Sequence, residues 1–118
     1  MRLQGKTYED RAALFLEEAG LRILDRNKNY KVGEIDLVAE ETAGRKITLV
    51  FVEVRMRTHG AGIRAEETLG PAKRLRLRRA ISRYLAEYRG RASMVRMDLV
   101  AFDGDCLIHY PDFFGIIW

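Results

Sequence analysis

The chain has 118 residues, 47% of them hydrophobic and 32% charged, with a formal charge of +4. That length suits one domain around one core, here taken as residues 1–118, and the composition excludes a disordered chain. Cys106 is the single cysteine, so an internal disulfide and a four-cysteine zinc site are excluded. No apolar run approaches the roughly 20 residues of a membrane helix, and Met1 to Arg11 has no apolar leader. A cytoplasmic, reduced protein without membrane contact is the expectation, and the basic balance mildly favours an anionic partner.

The spacing of Ala12, Phe15, Leu16 and Ala19 predicts a helix over residues 7–19, capped by Thr7 and stopped at Gly20. Glu9 lies on or beside that apolar face, where a carboxylate needs a partner; the alternative is a simple helix-start charge. Leu21 to Asp25 reads as a short strand and Arg26 to Val32 as a polar turn.

Residues 33–57, GEIDLVAEETAGRKITLVFVEVRMR, read as a β-hairpin. Gly44-Arg45 suits a two-residue type II′ turn. That turn sets Leu37 opposite Val52, Asp36 opposite Glu53 and Glu34 opposite Arg55. Alternation puts Ile35, Leu37, Ala39, Val50, Val52 and Val54 on one apolar face. The other face carries Glu34, Asp36, Glu53, Arg55 and Arg57, with Val38, Leu49 and Phe51 further along. Directly opposed carboxylates, with Cβ atoms about 5 Å apart, destabilise a sheet. A divalent cation reverses that sign, because hard cations want clustered oxygens. Neutralisation of both acids by Arg55 and Arg57 on a wet face is the other reading.

Residues 58–69 read as a glycine-containing loop with a helical turn near Ala65 to Leu69. His59 within it is a ligand, a phosphate contact or a merely solvated histidine. Pro71 to Arg89 is the longest predicted helix, with Leu77, Ile81, Tyr84, Leu85 and Tyr88 as its apolar stripe and Gly90 as its stop. Lys73, Arg74, Arg76, Arg78, Arg79 and Arg83 occupy the remainder, with no acid between Lys73 and Arg83. Solvated helices usually mix signs, so this pattern points to a phosphate-facing surface; a merely solvated face is the other reading. Ser93 to Asp103 is a strand, Asp103-Gly104 a turn signal, and Cys106 to Tyr110 an edge strand. The tail FFGIIW caps the core or forms a subunit contact.

GEIDLVA at 33–39, FVEVRMR at 51–57, Lys73 with the following RLRLRRAISRYL, and RMDLVAF at 96–102 resemble the YraN family of small bacterial proteins. Gly5 and Glu9, followed by Ala12 and Leu16, resemble its opening helix. That family is similar in fold to the PD-(D/E)xK nucleases, particularly archaeal Holliday-junction resolvases. The resemblance implies a restriction-endonuclease-like α/β sandwich with a central mixed sheet flanked by helices. It also implies a nuclease-like site binding Mg²⁺ or Mn²⁺. Asp36 and Glu53 would be the metal-binding acids, Val54 would offer its carbonyl, Glu9 would be the helix acid, and Arg55 stands where the superfamily has lysine. Arginine cannot serve as general base, although it can hold a phosphate. DNA, possibly branched, is the implied substrate, bound by Arg57, Lys73, Arg74, Arg76 and Arg78; no residue separates DNA from RNA. A homodimer is implied by the same analogy. The alternative function is a non-catalytic nucleic-acid or protein adaptor on a nuclease scaffold.

Overall fold

The hairpin forms with the register its turn dictates. In a computed structural model that describes residues 4–57 and 70–113, β2 (Gly33–Ala43) and β3 (Lys46–Arg57) pair from Ala43 with Lys46 to Leu37 with Val52. Gly44 has φ +64°, and Arg45 does not adopt positive φ, as a type II′ turn requires. Ahead of the hairpin stand α1 (Gln4–Glu18) and β1 (Arg22–Tyr30); after it come α2 (Pro71–Glu87), β4 (Met94–Asp103) and β5 (Cys106–Tyr110).

The five strands form one sheet in the order β1-β2-β3-β4-β5. Only β3 and β4 are parallel, and α2 lies in the connection between them. This is a mixed α/β arrangement consistent with a restriction-endonuclease-like sandwich. Ala12, Ala13 and Leu16 of α1 pack on Leu37, Ala39, Val50, Val52, Val100 and Phe102. Leu77, Ala80, Ile81 and Tyr84 of α2 pack on Ile35, Val38, Leu49, Phe51 and Met97. Each large apolar side chain so buried contributes about 1.5–3 kcal/mol. No helix among the described residues is long and apolar enough to cross a membrane.

Several sequence expectations change. The first helix begins at Gln4, so Thr7 is inside it and not its cap. Ala13, not Ala19, completes the buried face, and Ala19 is exposed. Gly20, at φ +100°, ends the helix as expected: its N–H donates to Glu17 O, and Leu21 N–H donates to Leu16 O. The stretch Arg26 to Tyr30 is strand, not turn, so the Leu21 to Asp25 strand is nearly doubled. An edge strand needs no continuous apolar run, and its charges find partners: Arg26 pairs with Asp10, and Arg22 with Glu40 at 2.7 Å. The second helix ends at Glu87, two residues before the expected Arg89. The closing pair of the last hairpin is Asp103 with Cys106, so Gly104 and Asp105 are its central residues.

Ile35 also departs from the strict alternation. It packs with the α2 cluster, whereas Leu37 packs with the α1 cluster. The strand therefore turns over at Asp36. Across from this point, Asn27 of β1 takes a left-handed φ of +52°, between the pairs Arg26–Leu37 and Lys28–Ile35. Asparagine tolerates that conformation better than most residues. His59, the 58–69 loop with its Ala65–Leu69 turn, the 114–118 tail and the Arg57 side chain lie outside the described residues.

Candidate metal and phosphate site

The β2–β3 ladder stops at Leu37 and Val52, and the site begins one residue further along. Pairs closing a two-residue turn exchange both backbone hydrogen bonds, and every second pair repeats this. Val54 should thus bond to Ile35. Instead Val54 N–H donates to Asp36 Oδ2 at 2.8 Å. The Asp36 carboxylate replaces the backbone of its own strand and holds the splayed strands together. The Val54 carbonyl opens on the same strand edge as its N–H.

Glu53, one residue beyond the last ladder pair, is hydrogen-bonded to Asp36 and only 2% exposed. Arg55 Nη2 stands 3.1 Å from Glu53 Oε2, and Lys73 Nζ stands 3.7 Å from the same oxygen. Glu53 Oε1 has no hydrogen-bond partner among the described residues, and neither does Arg55 Nε. A buried acceptor and a buried donor, both unsatisfied, thus sit on adjacent side chains. Leaving each so costs about 1–3 kcal/mol, more where the group is charged.

Lys73 reaches this place because of Gly33. A Cβ on Gly33 would lie 2.5 Å from the Arg76 carbonyl oxygen, so only glycine lets the backbone of α2 rest on the start of β2. One turn earlier on the same helix, Lys73 then overhangs the end of β3. Pro71 at the first helical position fixes the start of that turn. The far end of α2 is fixed by Tyr84 Oη donating to Asp25 Oδ2 at 2.5 Å and Tyr88 Oη donating to Glu40 Oε2 at 2.9 Å.

The electrostatics follow from this crowding. Burial first, and then the charge of Glu53, push the Asp36 carboxyl up to about 7, against the Val54 N–H and Lys73. Burial likewise raises Glu53, while Lys73 and Arg55 pull the other way. Glu9, half-buried on α1, is raised by burial and then by Asp36, and accepts a hydrogen bond from Asn27. Both helices thus bring charge to one end of the sheet.

The sequence-derived residues divide accordingly. Asp36, Glu53, Arg55 and Lys73 come together, with the Val54 backbone bound to Asp36 and Glu9 alongside. Arg74, Arg76 and Arg78 lie exposed on α2, away from its buried stripe. Asn27 was not legible as a site residue; its signal, one of two asparagines in a polar run, is weak. No group of three metal-ligating side chains converges among the described residues. Two carboxylates with an open oxygen fit a Mg²⁺-type ion, which commonly takes one or two carboxylates and completes its shell with water and phosphate oxygens.

A second buried acid lies on the opposite face. Asp98, fully buried, accepts two hydrogen bonds from Arg96 at 2.8 and 3.0 Å, one from the Asp112 N–H at 2.8 Å, and pairs with His109 Nε2 at 2.8 Å. Burial alone would raise its pKa, but these bonds outweigh burial and lower it. Arg96 also reaches Glu41 at 2.7 Å. This acid is fully satisfied and ties β4 to β5.

Comparison with known proteins places the chain. The profile of the uncharacterised protein family UPF0102 matches residues 8–102. A UPF0102 protein of Burkholderia thailandensis is 46% identical over 113 residues, covering 96% of this chain and 76% of that protein. One from Ralstonia nicotianae is 41% identical over 115 residues, covering 95% and 86%. One from Burkholderia pseudomallei is 44% identical over 110 residues, covering 93% and 74%. With a family match across most of its length and relatives 41–46% identical, the chain belongs to the UPF0102 (YraN) family.

Proposed function

We propose that this protein is a divalent-metal-dependent endonuclease-like domain acting on DNA phosphodiester bonds. The observation that carries the reading is the pairing of Asp36 with a buried Glu53 whose Oε1 is unsatisfied, beside an equally unsatisfied Arg55 Nε. An open carboxylate oxygen suits a cation, and an open guanidinium N–H suits a phosphate oxygen.

Asp36 and Glu53 would hold Mg²⁺ or Mn²⁺, which when bound supplies an activated water and neutralises phosphate charge. Asp36, held by Val54 N–H, fixes one carboxylate relative to the β3 backbone. Arg55, held by Nη2 on Glu53, would turn its guanidinium to the scissile phosphate. It cannot remove a proton. Glu9 and Asn27 shape the outer wall on the α1 side. Arg74, Arg76 and Arg78 of α2, with Arg57 at the end of β3, would contact backbone phosphates flanking the site. Such contacts position a nucleic acid without reading its sequence, and branched DNA is the substrate suggested by the resemblance to resolvases.

Asp36→Asn and Glu53→Gln are predicted to abolish cleavage while leaving DNA affinity within about threefold of wild type at fixed salt. Loss of DNA binding in both variants, with folding intact, counts against these roles. A second reading, a non-catalytic adaptor, is favoured by one observation: Arg55 and Lys73, cations of the chain itself, both pair with Glu53. Calorimetric titration with Mn²⁺ discriminates, since an adaptor shows no heat that disappears in Asp36→Asn.

A further inference from the structure

We propose that Lys73 is a stand-in cation and positioning residue: it balances Glu53 until a divalent ion enters, and then passes to the substrate phosphate. The proposal rests on the metal-site reading above and deepens it. Its basis is the charge arrangement around Glu53. Two acids, Asp36 and Glu53, face two cations, Arg55 and Lys73, in one partly water-excluded pocket. With both acids ionised, the four formal charges cancel. The rim adds Glu9, which has Asn27 and Arg26 nearby, and the exposed Glu34.

The two cations are not equivalent. Arg55 is closer, at 3.1 Å, and sits on the same strand as Glu53, so it stays with the β3 backbone. The two side chains are equally exposed, but Lys73 is looser, at 3.7 Å, on a flexible stem from the first turn of α2. A divalent ion bound to Glu53 repels both, and Lys73 is the one with room to move. Moved outward, its ammonium lies on the same helix as Arg74, Arg76 and Arg78, where a backbone phosphate would pass. Metal alone leaves the pocket with two surplus positive charges, which a phosphodiester partly offsets. Metal and nucleic acid therefore bind cooperatively, each weakly by itself.

The experiment is calorimetric titration of Mn²⁺ alone into the full chain as wild type, Lys73→Met, Lys73→Arg and Asp36→Asn. It is followed by the affinity for a short DNA duplex with and without Ca²⁺. Removing a unit charge beside a divalent ion should tighten Mn²⁺ binding about tenfold or more in Lys73→Met. Lys73→Arg, which keeps the charge, stays within about twofold of wild type. The gain in duplex affinity on adding Ca²⁺, present in wild type, shrinks in Lys73→Met. Mn²⁺ affinity in Lys73→Met equal to or weaker than wild type overturns the proposal, even if wild type binds Mn²⁺ through Asp36. If no variant binds Mn²⁺, the metal-site reading fails together with it. Binding by Lys73→Met where wild type shows none supports the exchange directly.

Discussion

Asp36→Asn should stabilise the metal-free protein at alkaline pH, and the size of the effect can be worked from the site. The Asp36 carboxyl moves from 3.8 to about 7 on folding, chiefly through burial and then through Glu53. Its folded pKa is raised, so no penalty exists well below pH 4, where both states are protonated. Between about pH 4 and 7 the unfolded chain ionises first, and stability falls by up to about 1.4 kcal/mol per pH unit. Above about pH 7 the penalty is constant, with a ceiling of about 4 kcal/mol. Because Glu53 shares the titration, about 2–4 kcal/mol is the working range. Asparagine removes the charge, keeps an acceptor for the Val54 N–H and offers an amide donor to Glu53. Urea denaturation in EDTA, followed by circular dichroism, should thus show matching midpoints near pH 4. At pH 8 the variant midpoint should lie about 1–3 M higher. Saturating Mg²⁺ should then narrow the gap by stabilising wild type only. A wild-type-to-variant difference that does not change with pH would refute the reasoning.

Asp98→Ala should destabilise by about 1–3 kcal/mol, since it strips the Asp112 N–H and His109 of their acceptor and leaves Arg96 with Glu41 alone; an unchanged urea midpoint contradicts that role. The lowered pKa of Asp98 means that its stabilisation is present above the unfolded carboxylate range and lost as pH falls toward its folded value. In wild type this appears as acid-limb unfolding that Asp98→Asn displaces. Gly33→Ala should cost about 1–3 kcal/mol, because the new methyl meets backbone and not a flexible side chain. It should also lower Mn²⁺-dependent DNA affinity, measured by fluorescence anisotropy, through displacement of Lys73. Tyr84→Phe should cost about 1–3 kcal/mol by stripping Asp25 of its hydroxyl donor, read from thermal unfolding at fixed pH.

The centre of the fold was legible because its signals are local. Gly44-Arg45 fixes a turn, the turn fixes the register as far as Leu37 and Val52, and Asp36 and Glu53 meet just beyond that pair. The apolar stripe Leu77, Ile81 and Tyr84 likewise needed only helical spacing. Features set by pairing across the sheet were not legible. Arg26 to Tyr30 reads as turn because its alternation is polar, yet it is held as an edge strand by β2 and by Asp10 on α1. The turnover at Asp36 depends on Asn27 on a neighbouring strand, and no spacing within the hairpin reports it. The buried network of Arg96, Asp98, His109 and Glu41 spans three strands, and along β4 its acid looks like any outward-facing residue. Lys73 was visible as part of a basic helix, but its reach to Glu53 depends on the glycine contact at Gly33.

The most direct test of a metal-dependent nuclease is cleavage of labelled linear, flapped, splayed and four-way DNA in Mg²⁺ or Mn²⁺, with Asp36→Asn purified and assayed alongside. A nuclease built on Asp36 and Glu53 should show metal-dependent cleavage by wild type on at least one structure, none in EDTA and none by the variant. Absence of cleavage on every substrate, or equal cleavage by wild type and variant, would contradict that reading.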